Sequence, residues 1–526
     1  MRASITIMSI LSDRLSEEIL QARQRVYTVG EPTPLQRLNL PGIEAPVYAK
    51  REDLGPIRAY KWRGAFNCMA ALSQEARNKG IVAASAGNHA QGVALAARVL
   101  NCHATIFMPR STPEVKQTEV RRHGGRHVKI MLHGDCYDET AAAAHEYAET
   151  HGSTFVHPYD DLVTMAGQGT LADEVVMSGE GPFDRAYVAI GGGGLAASVA
   201  CWLKKFWPRI KVIGVEGVDQ ASMKTSIEQG RRVNLDYVDV FCDGTAVHIP
   251  GELTYPLCRE LVDEFVTVTN NEVCQAIRAM WESSRVVPEP SGAMSLAGFL
   301  KQWNRGEVQP EEKSFVVISG ANMDFTHLTQ IARQAGIGNH ETRYLRISMD
   351  SKRGQVLKYL RHMPQDTTLV DVQYGKTEGD TQYPVFGIAA SDEDLDTIRT
   401  TLKKKGIEFE DISEDDDVRF RMIHYQPELC QHPLFVHIEF PERAGAFLDF
   451  MERIADLASL CYFNYTYTGE RVGRALVGME FDTAEDRETI RERMSAFSKN
   501  IIRSIREISP EAFQRIMGGR QLTGNH

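Results

Sequence analysis

Five short, continuously apolar runs lie between Gly80 and Asn322: "GIVAASAGNH", "CHATIFMP", "RAYVAIGGGG", "KVIGVEG" and "KSFVVISGAN". Each reads as a buried strand closed by a glycine or small-residue turn, and most are followed by a helical pattern. Strands apolar on both faces and separated by helices belong to parallel sheets that are covered on both sides. The expected fold is therefore α/β over residues 1–330, with open, mainly parallel sheets in two α/β subdomains. Ligands bind such sheets beyond the carboxyl ends of the strands, which is where the glycine-rich turns fall.

The chain has 526 residues, more than one core can use, and a formal charge of −11 with no Lys/Arg block. That balance argues against a nucleic-acid or anionic-membrane partner and favours small-molecule chemistry. Nine scattered cysteines with no Cys-x-x-Cys pair read as buried thiols of a reducing compartment. The apolar run Ile5–Leu11 is shorter than a secretory core and leads into Ser12-Asp13-Arg14, and no window is apolar enough to span a bilayer, so a cytoplasmic location is expected.

After Asp324 the pattern changes. Residues 331–343 read as a helix end with a Gly-Ile-Gly break and a polar linker. Beyond it, "LRISMDSKRGQVLKYL" from Leu345 and "VHIEFPERAGAFLDFM" from Val436 share one register, Gly354 matching Gly445 and Leu357 matching Leu448. Each continues with alternating strands and a second charged helix, the β-α-β-β-α-β order of ferredoxin-like α+β modules. The two modules are read as residues 344–420 and 431–510, with acidic "SEDDD" (Ser413 to Asp417) as a solvated connector.

Three loops and one lysine carry the chemistry. In "AYKWRGAFN" Lys61 lies among Tyr60, Trp62 and Phe66, and an amine desolvated by such neighbours is neutral often enough to attack a carbonyl. Gly191, Gly192, Gly193 and Gly194 follow the apolar "YVAI" and precede a helix, an arrangement that turns backbone N–H groups toward an anion such as phosphate. "SAGNHAQG" offers Ser85, Gly87, Asn88 and His89 at another strand-to-helix turn for a carboxylate, and "SGAN" offers the Ser319 hydroxyl. Amine, phosphate cradle, carboxylate cradle and hydroxyl together are what pyridoxal 5′-phosphate and an amino-acid substrate need.

The ordered set "KREDLGPIRAYKWRGA", "SAGNHAQGVA", "MPRSTPEVKQTEVRRHGG", "HPYDD", "GQGT", "GGGGL" and "EPSGA" resembles the fold-type-II pyridoxal-phosphate enzymes, and within them the threonine deaminases (threonine dehydratases). The likeness spans about Arg25 to Asp324, and "FPERAGAFLDF" is similar to the start of an ACT-like amino-acid-binding module in the tail of the biosynthetic, isoleucine-inhibited members. The resemblance implies Lys61 as the Schiff-base lysine and the base for the substrate α-proton. It puts Tyr60 beside the cofactor ring, Asn88 on the 3′-oxygen, Gly191 to Gly194 on the phosphate and Ser319 at the pyridine nitrogen. Ser85, Gly87, Asn88 and His89 would surround the substrate carboxylate. The reaction implied is deamination of L-threonine, with L-serine secondary, to the 2-oxo acid and ammonia, the first committed step of isoleucine biosynthesis. A homotetramer inhibited by L-isoleucine, with L-valine as a second effector, is implied too, and Gly354, Tyr374, Gly445 and Tyr465 are the candidate effector residues. Ala86 stands where related serine racemases carry a second acid, and Gln220 and Ser222 stand where they hold a divalent cation, so neither racemisation nor a required metal is expected. A serine-preferring dehydratase and a non-catalytic amino-acid sensor are the rival readings.

Overall fold

The computed structural model describes residues 2–325, 327–338, 342–350, 368–373, 381–383, 385–389, 392–413, 415, 432–441, 450, 453–454, 456–466, 472–497 and 502–516. The chain divides into two units, Met1–Ile331 and Ala332–His526.

In the first unit the strands are β1 (Leu35–Leu38), β2 (Val47–Arg51), β3 (Ile81–Ala84), β4 (Ala104–Met108), β5 (Val128–Leu132), β6 (Thr154–Phe155), β7 (Arg185–Ala189), β8 (Lys211–Gly217), β9 (Glu264–Val268) and β10 (Ser314–Ile318). They form a six-stranded sheet in the order β1-β2-β10-β7-β8-β9 and a four-stranded sheet in the order β5-β4-β3-β6. Every pair is parallel except β1 with β2. All five apolar runs are strands of these sheets, and every residue of β2, β3, β7 and β10 is buried. That double-sided burial is why the runs do not alternate. Among the described residues no helix is long and apolar enough to cross a membrane.

Helix Lys61–Ala71 is gripped by two neighbours at glycines. An added Cβ on Gly92, in helix Asn88–Val99, would stand 3.1 Å from the Lys61 carbonyl oxygen, and one on Gly167, in helix Leu162–Met177, 2.4 Å from that of Arg63. The same helix is tied down by a buried charge network. The Arg63 guanidinium, fully buried, reaches Glu52 at 2.7 Å and Glu174 at 2.6 Å. Lys50, also fully buried, pairs with Glu174 and donates to the Thr33 carbonyl. Burial by itself pushes the Glu52 carboxyl up, but Arg63 and Lys50 outweigh it and hold Glu52 below its ordinary range. Breaking such a network strands a charge in a dry interior. Arg63→Met is therefore expected to lower unfolding free energy by about 3–5 kcal/mol, read as a drop in urea midpoint; a midpoint within error of the parent would contradict it.

In the second unit the strands are β11 (Thr342–Ile347), β12 (Met349–Asp350), β13 (Thr368–Gln373), β14 (Thr381–Gln382), β15 (Val385–Ala389), β16 (Phe409–Asp411), β17 (Leu434–Pro441), β18 (Ser459–Thr466), β19 (Val472–Glu480) and β20 (Ser504–Glu507). Two antiparallel sheets result, β13-β15-β11-β16 and β18-β19-β17-β20, each running second, third, first, fourth strand of its module, with a short β12-β14 pair beside them. A helix follows the third strand in both, Asp392–Lys404 and Ala484–Ser495. Leu395, Ile398 and Leu402 of the first, on one face by helical spacing, pack on Leu345, Ile347, Phe386 and Ile388. Ile490 and Met494 of the second join Val436, Ile438, Ala475 and Val477. This common order is the ACT-like, ferredoxin-like topology implied by the internal repeat.

Two details differ from the sequence reading. Helix His327–Gly338 takes in Gly336-Ile337-Gly338 as its last three residues, since a glycine costs a helix only about 1 kcal/mol. Ser413, read as part of a solvated connector, is buried and accepts the Tyr344 N–H at 2.8 Å. Of the candidate effector residues, Gly354, Tyr374 and Gly445 lie outside the described residues, as do Leu357 and Leu448, and Tyr465 lies on β18 opposite Ala475.

Candidate active site

The start of the Lys61 helix and the loops after β7 and β10 close into a ring of contacts. Lys61 Nζ donates to the Pro158 carbonyl at 3.3 Å, which also accepts Gln168 Nε2 at 3.1 Å. The next residue, Tyr159, lays its ring where a Cβ on Gly192 would come within 2.3 Å. Gly191 packs on Thr245, where an added Cβ would stand 2.9 Å from the Thr245 Cα, and the Thr245 hydroxyl lies 3.2 Å from that of Ser291. Ser319 Oγ donates to the Ser291 carbonyl at 3.3 Å, and the Tyr60 N–H donates to the Ser319 carbonyl at 3.0 Å, which returns the ring to Lys61. One ring of contacts thus joins Lys61, Tyr60, the glycine loop and Ser319.

Burial lowers the Lys61 amine to about 8, against the raising influence of the Glu289 carboxylate. Its Nζ stands 5.3 Å from the centre of the Tyr60 ring. The second expected ring is elsewhere: Trp62 is fully buried beneath the helix, filling the space over Gly30 and Gly55. Desolvation, which the sequence reading assigned to rings on both sides, comes from the cleft as a whole.

The glycine loop fits a phosphate. Side chains are excluded, since a Cβ on Gly193 would meet Met223 at 2.5 Å and one on Gly194 the Tyr159 carbonyl at 2.8 Å. Gly193 has φ +95°, a left-handed conformation that glycine adopts without strain. The carbonyls point away: that of Gly192 accepts Thr254 Oγ1, and that of Gly193 accepts the Ala197 N–H at 2.9 Å. In a planar trans peptide the N–H lies opposite the carbonyl, so the Gly193 and Gly194 amides face the other way, and helix Gly194–Phe206 adds its N-terminus.

The "SAGNH" loop is partly different from its expected role. The Gly87 N–H is engaged by Ser85 Oγ at 3.2 Å. His89 turns its ring away from the loop, Nε2 lying 2.8 Å from the Val156 carbonyl, and burial lowers it to about 3. A neutral ring held by a backbone carbonyl is not a carboxylate donor, so the site gains from His89 only its backbone amide in the first turn of helix Asn88–Val99. Asn88 does face the cleft group: its Nδ2 donates to Glu289 at 2.7 Å, and its Oδ1 accepts Asn322 Nδ2 at 2.8 Å.

Glu289, Asn322 and Thr245 were not picked out from the sequence. Burial raises Glu289 to about 7, with Asp243 adding to it and Asn88, Asn322 and Lys116 opposing. Lys116 and Asp243 pair with each other at 2.6 Å. A signal for Glu289 did exist: it precedes Pro290 at the start of helix Pro290–Asn304, a cap position where glutamate is unusual, and its side chain makes no cap. At the positions compared with a cation loop, Gln220 Nε2 donates to the carbonyls of Asp239 and Cys242, and Glu216 accepts the Met223 and Lys224 amides.

Residues 26–320 match the family model of pyridoxal-phosphate dependent enzymes, and residues 430–504 that of the C-terminal regulatory domain of threonine dehydratase. The chain is 36% identical over 480 residues to an L-threonine dehydratase biosynthetic IlvA of Burkholderia multivorans, covering 90% of this chain and 94% of the relative. It is 34% identical over 474 residues to that of Escherichia coli, covering 89% and 91%. Among solved structures, the processed form of threonine deaminase isoform 2 from Solanum lycopersicum aligns with a TM-score of 0.58 at 38% identity, over 62% of this chain and 94% of that one. Maize serine racemase aligns with a TM-score of 0.55 at 29% identity, over 61% and 97%.

Proposed function

The chain belongs to the pyridoxal-phosphate-dependent threonine dehydratases with a C-terminal regulatory domain, and from that premise we propose that it deaminates L-threonine to 2-oxobutanoate and ammonia in isoleucine biosynthesis under amino-acid control. The observation that supports this most is the closed ring that sets a depressed-pKa lysine, a side-chain-free anion loop and a neutral hydroxyl around one cleft. We assign residues 1–330 to catalysis, 344–420 and 431–510 to two regulatory modules.

Pyridoxal phosphate supplies an aldehyde for the substrate amine and a conjugated ring that takes up the electron pair left when the α-proton departs. Lys61 would carry it, the amides of Gly191 to Gly194 would hold its phosphate, Asn88 its 3′-oxygen, Tyr60 its ring edge and Ser319 its pyridine nitrogen. Ser319 offers a neutral hydroxyl, so it does not drive the nitrogen toward the protonated form. Lys61 Nζ, neutral in part near pH 8, takes the α-proton. The first turn of helix Asn88–Val99, with Ser85 beside it, orients the substrate carboxylate through backbone N–H groups. Loss of the β-hydroxyl as water then leaves an enamine that tautomerises and hydrolyses in solution. L-Serine lacks one methyl group, worth about 1–3 kcal/mol in a pocket, and is the secondary substrate.

An effector can govern turnover only by binding one global state better than another. We assign L-isoleucine, with L-valine, to the tail modules of a cytoplasmic homotetramer. The test is the initial rate of 2-oxo acid formation from L-threonine with and without L-isoleucine. Turnover that falls or becomes sigmoidal with isoleucine is expected. Turnover indifferent to isoleucine would remove the effector assignment, a higher kcat/KM for L-serine would reverse the substrate order, and no turnover would favour a silent sensor.

A further inference from the structure

Asn88 is the residue whose orientation decides which of its two nearly isosteric atoms meets the cofactor. Two partners set that orientation. Asn322 Nδ2 lies 2.6 Å from the Ile57 carbonyl, which can only accept, so this atom of Asn322 is the nitrogen and the Asn88 atom facing it is the oxygen. On the other side the Asn88 Nδ2 donates to Glu289 Oε1 at 2.7 Å, while Glu289 Oε2 accepts the Asn322 backbone N–H at 2.9 Å. Glu289 is 5% exposed, and its Oε1 occupies the space that a side chain on Gly320 would fill, 2.4 Å from the Cβ position. Three residues far apart in the chain therefore close one hydrogen-bonded cycle, which uses one of the two Asn88 amide hydrogens.

We infer that Glu289 and Asn322 are positioning residues that act through Asn88, fixing its carboxamide so that an N–H rather than a carbonyl is presented to the cofactor's 3′-oxygen. The inference rests on the reading of Asn88 given above. A carboxylate is needed at 289 because both its neighbours are donors. A glutamine there would set one NH2 group against a donor and favour the flipped Asn88, whose carbonyl repels the same oxygen.

The test is a double-mutant cycle on the full-length holoenzyme, with Asn88→Ala, Glu289→Gln and the double variant. The readouts are the apparent dissociation constant for pyridoxal phosphate and the visible absorption maximum of the bound cofactor. Asn88→Ala and Glu289→Gln should each weaken cofactor binding about tenfold, the worth of one hydrogen bond, and shift the visible band alike. The double variant should be no weaker than either alone. Asn322→Asp, which sets a carboxylate against Asn88 Oδ1, should do the same, and it serves as the probe if Glu289→Gln does not fold. If Asn88→Ala leaves affinity and spectrum unchanged, the Asn88 reading fails. If Asn88→Ala acts but Glu289→Gln is silent, or the two effects multiply to about a hundredfold, Asn88 stands and the positioning role is overturned.

Discussion

Lys61→Ala should give a folded protein that has lost deamination by at least about ten-thousandfold, the scale seen when a group that is both nucleophile and base is removed. The fold should survive because Lys61 makes one hydrogen bond, to the Pro158 carbonyl at 3.3 Å, whereas its helix is held by Arg63, Gly92 and Gly167. Circular dichroism and a urea midpoint check the fold, and a coupled 2-oxo acid assay checks the rate. The pH dependence is a sharper test. With the amine lowered to about 8, the neutral fraction rises as pH passes through that value and then levels off. Covalent capture of pyridoxal phosphate by the apoprotein should therefore be half-maximal near pH 8 and level off above about pH 9, while an ordinary lysine, near 10.4, would keep gaining reactivity beyond about pH 10. Retained deamination in Lys61→Ala would falsify the site.

Gly192→Ala is the second large effect, expected to lower cofactor affinity by about a hundredfold or more, in line with a core overpacking cost of about 1–3 kcal/mol added to a misplaced cradle. The new Cβ would stand 2.3 Å from the Tyr159 ring, and the ring cannot simply withdraw. The Tyr159 backbone is anchored by the following Asp160, whose carboxylate accepts the Glu252 and Leu253 amides at 2.7 and 2.8 Å. The loop must yield instead, and its amides turn off the phosphate. Gly152→Ala is the control: φ is +62°, yet nothing lies within 4 Å of the added Cβ. It should cost about 1–2 kcal/mol of stability from backbone strain with cofactor affinity unchanged. Equal cofactor losses in both variants would show that strain, not the shape of the cradle, is being measured.

Much of the candidate site could be proposed from the sequence because its chemistry is local. Lys61, the four glycines and the turn after β3 announce themselves by residue type at strand ends, and the tail's repeat announced two modules with one strand order, later found in both sheets. What was misread depended on partners distant in the chain. His89 looked like part of a carboxylate site, but its ring is taken by the Val156 carbonyl, 67 positions away. Trp62 looked like a wall for Lys61, but successive helix residues diverge by about 100° and it fills a hollow over Gly30 and Gly55.

The sequence by itself determined the units: buried strands, the small-residue turns that end them, the helices that follow and the lysine among them, since each follows from steric freedom and hydrophobic burial within a few residues. Only the tertiary structure decided how they join. It put β10 between β2 and β7 and split the strands between two sheets, and it brought Glu289 and Asn322 to Asn88 across separations of 201 and 234 residues. Those pairings depend on where the chain returns, and a hydrogen-bond donor carries no mark in its neighbours of the acceptor that folding will bring to it.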